Sequence, residues 1–187
     1  MEQNRILDVS FWKNSKPFFE HFNQQTALII EILTEVSNAF PQNKLESFFQ
    51  NAKGCKISKG NQLNGLPYQV LDVIRDFDPK DGFNIRLLNW WGNDFYIFIT
   101  YGSETAKKFQ KEISSSFHDF YLSKSALPYQ YEKVLTENEV LSEKTLCREL
   151  ENPKQIQIWK KLNISENTSV TKNYLEKMIQ RILDIHN

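Results

Sequence analysis

Between Phe83 and Tyr101 two runs of β-prone residues, FNIRLLNWW and FYIFITY, stand on either side of Gly92-Asn93-Asp94. Short runs rich in Ile, Phe, Tyr and Trp around a Gly-Asn pair predict a β-hairpin. With Gly92-Asn93 as a two-residue turn, one face carries Arg86, Leu88 and Trp90 with Phe95, Ile97, Ile99 and Tyr101. The other carries Phe83, Ile85, Leu87 and Trp91 with Tyr96 and Phe98. Moving the turn to Asn93-Asp94 shifts the pairing by two and leaves both faces unchanged. Both faces are largely apolar, so the hairpin has to be covered on both sides, or on one side with a binding surface on the other. An isolated hairpin is marginal in water, so at least one further strand or a packed helix must join it.

The rest of the chain supplies such cover. Pro17 opens a helix over 16–40 whose stripe runs through Phe18, Phe22, Ile29, Leu33, Val36 and Phe40, widened by Phe19, Ile30 and Ile32. Leu45, Phe48, Phe49 and Ala52 mark a shorter helix with Gly54 as its C-terminal cap, and residues 53–58 follow as a short strand. The 58–65 stretch SKGNQLNG reads as a loop, and Val70, Leu71, Ile74 and Phe77 after Pro67 fit one side of a helix. Asp78 to Gly82 is a turn. Phe109, Ile113, Phe117 and Phe120 predict a helix over 104–122, and Leu175, Met178, Ile182 and Ile185 one over 171–186. Residues 123–153 are polar and broken by Pro128 and Pro153, with an apolar group at Tyr129–Tyr131 and a short helix near 142–151. Ile156, Ile158, Leu162 and Ile164 fit a last strand or part of a helix through Trp159, and their even spacing favours the strand. The fold class is therefore α+β: a small antiparallel sheet centred on 83–101, packed by helices, with residues 1–187 as a single domain.

Composition narrows the function classes. Twenty-three basic residues balance 23 acidic ones, so the global field of a nucleic-acid binder is missing. The N-terminal MEQNRILDVSFWKN lacks the pattern of a secretory signal, and no apolar run approaches membrane-spanning length. The expectation is a soluble cytoplasmic protein. Cys55 and Cys147 are far apart with no CxxC and read as free thiols, and His21, His118 and His186 form no chelating pair. No metal or cofactor is expected.

LPYQVLD at 66–72 followed by IRLLNWWGN at 85–93 resembles an uncharacterised family of small bacterial proteins with the pattern LPYxxLD…IRxxxWWGN. The resemblance covers about thirty residues and implies a bacterial cytosolic protein of unknown role; it carries over no catalytic residue.

The residues that best combine into chemistry are Tyr68, Asp72, Arg75 and Asp76 after the glycine-containing loop, with Arg86 and Trp90 on the hairpin. Arg86 interrupts an apolar strand face, and a charge there has to be paired or reach solvent. One reading is an ion pair with Asp72 or Asp76 that docks helix on sheet. Another is an Arg that forks onto a ligand carboxylate or phosphate while Trp90 or Tyr68 stacks on the ligand. A third gives Asp72 or Asp76 the role of general base with Arg75 or Arg86 as anion anchor. Gly60 to Gly65 lacks the Lys-Ser/Thr of a phosphate loop and reads as a turn. The leading functional expectation is a non-catalytic protein that binds a small molecule or a partner protein near residues 60–76 and the Trp90-Trp91 end of the hairpin. It requires a cleft beside residues 60–76, or exposure of one of those two tryptophans. Self-association through the helices is the remaining alternative.

Overall fold

The computed structural model describes residues 6–152 and 154–186, so the first five residues, Pro153 and Asn187 lie outside the description. Seven strands form one antiparallel sheet in the order β1-β2-β3-β4-β7-β5-β6. The first four, β1 (Lys56–Leu63), β2 (Leu66–Arg75), β3 (Phe83–Trp90) and β4 (Phe95–Tyr101), are a meander of successive hairpins. β7 (Ile156–Lys161) comes last in the chain yet lies between β4 and β5 (Tyr121–Ser123), and β6 (Asn138–Val140) forms the far edge. Its first four residues, Ile156 to Trp159, are all buried, as a central strand requires.

The 67–77 helix predicted from spacing is a strand. Asn64 and Gly65 both have positive φ, 50° and 76°, the signature of an Asn-Gly hairpin turn, so the expected loop is the tip of a β1–β2 hairpin. β2 is buried on both faces from Gln69 to Ile74, and a strand with two buried faces shows no alternation to read. A bulge between Asp72 and Ile74 also puts Val73 and Ile74 into the same apolar cluster.

The expected partition of the hairpin faces is corrected too. The β3–β4 connection is a three-residue loop, Trp91-Gly92-Asn93, closed by Trp90 N–H donating to the Asp94 carbonyl at 3.0 Å and opened by Gly92 at φ 75°. Asn89 pairs with Phe95 and Leu88 with Tyr96, one residue away from the register of a Gly92-Asn93 turn and three from that of an Asn93-Asp94 turn, so the faces differ from both. Arg86, Leu88 and Trp90 therefore share a face with Tyr96 and Phe98, while Phe83, Ile85 and Leu87 share the other with Phe95, Ile97, Ile99 and Tyr101.

That second face is the main core. It is covered by α2 (Lys16–Asn38), α3 (Gln42–Phe48), α4 (Ser103–Lys108), α5 (Gln110–Ser116), α7 (Glu143–Leu150) and α8 (Thr168–Ile185). Asn167 caps α8 by accepting from Val170 N–H, and a Ser142–Thr145 capping box starts α7. The 104–122 helix is two helices broken at Phe109, where φ −103° and ψ 21° leave helical space, although Ile113, Phe117 and Phe120 are buried as the stripe required. Gly54, at φ 74°, turns the chain into β1 and does not close α3, whose C-cap is Phe49. In α2 the buried residues are Ile32, Leu33 and Val36, whereas Phe18 and Phe19, placed on the core stripe by their spacing, are exposed. α1 (Val9–Asn14) has no buried residue. The opposite face of the sheet has a lighter cover, chiefly α6 (Tyr131–Thr136) over Val70, Leu88, Trp90, Tyr96, Phe98 and Trp159. Among the described residues no helix is long and apolar enough to cross a membrane.

A candidate binding cleft on the lightly covered face

Arg86 on β3 and Asp72 on β2 are directly opposed cross-strand partners. The guanidinium forks onto the carboxylate, Nε donating to Oδ1 at 2.6 Å and Nη2 to Oδ2 at 2.9 Å. Its other terminal nitrogen, Nη1, donates to the Tyr131 hydroxyl at 2.6 Å. Asn84 Nδ2 donates to the same Asp72 Oδ1 at 3.2 Å and to the Ile74 carbonyl at 2.7 Å, beside the bulge. The pair is therefore strand to strand; the helix-to-sheet pair expected from sequence does not form, because its helix is a strand.

Aromatic rings close around this charge. The Tyr129 ring centroid lies 5.0 Å from the guanidinium carbon and that of Phe77 at 5.9 Å, both in cation–π range. Burial alone would lower the Arg86 pKa, but the Asp72 hydrogen bond and the Tyr131 phenol more than offset it and hold the guanidinium charged beyond its ordinary range. Burial pushes the Tyr129 and Tyr131 phenols up, with the Arg86 charge opposing, so both stay protonated at neutral pH.

A cleft of about 300 Å³ opens beside the pair, lined by Ser58, Leu63, Tyr68, Arg86, Tyr129 and Tyr131. A second of about 380 Å³ shares Leu63, Tyr129 and Tyr131 as walls. Gly60 is opposite Tyr68 in register, and a Cβ at Gly60 would meet the Tyr68 ring at 2.7 Å, so the glycine is what lets that ring lie across β1. On the other side of the β1–β2 hairpin a groove of about 410 Å³ separates it from α2, between Phe22, Thr26 and Pro67. A further groove, about 510 Å³, lies between α5 and α8 near His118, Lys177 and Arg181, away from every sequence-predicted site residue.

Of the six predicted residues, Tyr68, Asp72 and Arg86 converge. Trp90 lies on the same face but is 4% exposed, and its indole N–H is spent on the Leu63 carbonyl at 3.1 Å. Trp91 is half-buried on the opposite side, donating to Gln69 Oε1 at 2.9 Å and packed on Phe22 at 4.6 Å, so the two tryptophans form no common wall. Arg75 turns away and donates to the carbonyls of Gly54 and Lys53 at 2.8 and 2.9 Å. Asp76 accepts from Asp78 N–H at 3.2 Å within the 76–82 turn. Tyr129 and Tyr131 complete the site and were missed as site residues; their signal was the PYQY group inside an otherwise polar stretch.

Among the described residues no group of three or more His, Cys, Asp or Glu could hold a metal ion. Cys55 and Cys147 are unpaired, and burial pushes the Cys55 thiol up to about 11, Arg75 opposing and Asp72 assisting. No family model matches the chain, and no curated protein matches it. A solved structure of a conserved hypothetical protein from Pyrococcus furiosus is similar at 12% identity and TM-score 0.47, over 88% of this chain and 95% of that one. A likeness of that degree says nothing of function.

Proposed function

We propose that this chain is a non-catalytic cytoplasmic binding protein whose ligand is a small planar molecule with an acceptor edge, such as a single-ring carboxylate, held in the Arg86 cleft. One observation carries the reading: a guanidinium locked in place at the base of a cleft walled by three tyrosines. Arg has five N–H donors. Asp72 and Tyr131 take three, which leaves one on each terminal nitrogen without a partner among the described residues. Asp72 already balances the charge, so the cleft suits a ring with one carboxylate or carbonyl edge better than a phosphate group. Its volume, at the lower end of the ~300–1,000 Å³ common for ligand sites, suits a single ring stacked on tyrosine. Two unpaired cysteines agree with a reducing compartment.

Proton transfer is less well supported. Both Asp72 oxygens are engaged by Arg86, and a general base there would have to give those bonds up. A second reading, favoured by the two-pronged geometry, makes Arg86 only the counter-ion of a buried Asp72. Ligand-observed NMR with benzoate and nicotinate, and with benzamide and toluene as neutral counterparts, separates the two. Binding of the carboxylates that falls in Tyr129→Ala and Tyr68→Ala supports the cleft. Failure of all four probes to bind leaves the counter-ion role alone.

A further inference from the structure

Three and six-tenths residues per turn place Phe18 five turns below Val36, on one stripe of α2. Val36 is fully buried, while Phe18 is 61% and Phe19 53% exposed. The covered stripe reaches back to Phe22, which is half-buried and packs on Trp91 at the tip of the β3–β4 hairpin. Pro17 lets the chain kink, and the apolar character continues through Val9, Phe11 and Trp12 of α1 to Leu7 before it, all exposed. Exposed apolar side chains gathered this densely mark an interaction site, where singly scattered ones would need no explanation.

We propose that this arm is a homodimer interface, in which α1 and the first two turns of α2 pack antiparallel on the same segment of a second copy. The area fits. Phe11, Trp12, Phe18 and Phe19 are more than half exposed, and at roughly 150–250 Å² per ring they present on the order of 500 Å². Leu7 and Val9 bring the patch close to the ~800 Å² that each partner contributes to a standard-size interface. The charge pattern fits as well. Only a group on the two-fold axis meets its own copy, and a charge at that point would repel its mate. Lys16 and Glu20 pair with each other at 3.6 Å, each about 200° of helical rotation from Phe18, so the Phe18 side of α2 carries neither charge. Within residues 8–20 Asp8 and Glu20 balance Lys13 and Lys16, whereas a helix lying on an anionic membrane needs a basic polar flank. The whole chain carries no net charge, so two copies approach without long-range repulsion.

Sedimentation velocity on the full chain, from low micromolar to several hundred micromolar, tests the proposal. The expected result is a species of twice the 22.1 kDa chain mass that gives way to a monomer in Phe11→Asp/Phe18→Asp, with an unchanged far-ultraviolet circular dichroism spectrum. Phe18→Leu, which keeps the apolar stripe, is expected to remain a dimer. A wild-type monomer at every concentration overturns the proposal, as does a dimer that persists in the double variant. So does a monomer that co-sediments with phosphatidylglycerol vesicles, which would assign the arm to a lipid surface.

Discussion

On one face of the sheet Phe83, Ile85, Leu87, Ile97, Ile99 and Tyr101 meet six helices and make a continuous apolar core. On the other, the same strands present Arg86, Asn84 and Thr100 among Leu88, Tyr96 and Phe98, under one short helix and a loop. Two buried side-chain atoms without a hydrogen-bond partner, Gln157 Oε1 and Trp159 Nε1, also lie on that lighter side. Burial of apolar area drives folding wherever it occurs, but a buried polar group costs stability unless its partner is in place. The heavily covered face thus supplies stability, and the lighter one keeps the donors and the open volume from which a site is made.

The comparison is tested most severely by cavities and broken pairs. Phe83→Ala, which removes a ring stacked on Phe49 at 4.3 Å, should cost about 3–5 kcal/mol and lower Tm by roughly 2–4 °C for each of them, read by calorimetry. Arg86→Ala should cost about 3 kcal/mol in urea unfolding, because it leaves the buried Asp72 carboxylate unpaired and not because a large apolar group is lost. A loss below 1 kcal/mol would show that water reaches Asp72 freely.

His186 sharpens the comparison through pH. It is buried against Phe83 and Tyr101; the contact of Nδ1 with the Ile182 carbonyl at 2.6 Å requires an N–H there, so Nε2 accepts from the Tyr101 hydroxyl at 3.1 Å. Burial lowers its pKa, with the Ile182 hydrogen bond and Glu112 opposing. The neutral ring is the one the fold favours, so its contribution is complete above the unfolded value of about 6.5 and is lost as pH falls below it, with a slope of up to about 1.4 kcal/mol per pH unit. Tm measured against pH should show that slope, flattened in His186→Gln. The smallest effect is expected from Gly60→Ala: about 1 kcal/mol, since the Tyr68 ring can swing away, but with the cleft reshaped and ring-carboxylate binding weakened in the NMR assay.

What could be read in advance divides along the same line. The β3–β4 strands and α8 announce themselves by pattern, because each has either strong β-propensity or one apolar stripe, whereas β7 shows only an even spacing that a helix also fits and α7 sits in a polar stretch with little pattern. β2 did not, since its two buried faces erase alternation, and the Asn64-Gly65 turn that identifies it was absorbed into a loop. The hairpin faces were misassigned by a single residue of loop length, because Gly92 supports a three-residue loop as readily as a shorter turn. Arg86 and Asp72 were legible as a pair because a charge in an apolar strand needs one. Tyr129 and Tyr131 reach the site from a stretch about forty residues away with no regular pattern, which only tertiary structure connects. Phe18 and Phe19 show the reverse failure, a perfect core stripe that outruns its core.

The central claim is that Arg86 is kept for what it presents to the cleft and not for holding the sheet together. The most direct test is the double variant Arg86→Met/Asp72→Leu, with Tm and benzoate binding measured on the same sample. Replacing a buried ion pair by apolar groups of similar size is often neutral or stabilising by about 1–4 kcal/mol. The account predicts a folded protein at or above the wild-type Tm that no longer binds the ring carboxylate bound by wild type. A double variant that unfolds, or one that binds benzoate as wild type does, would contradict it.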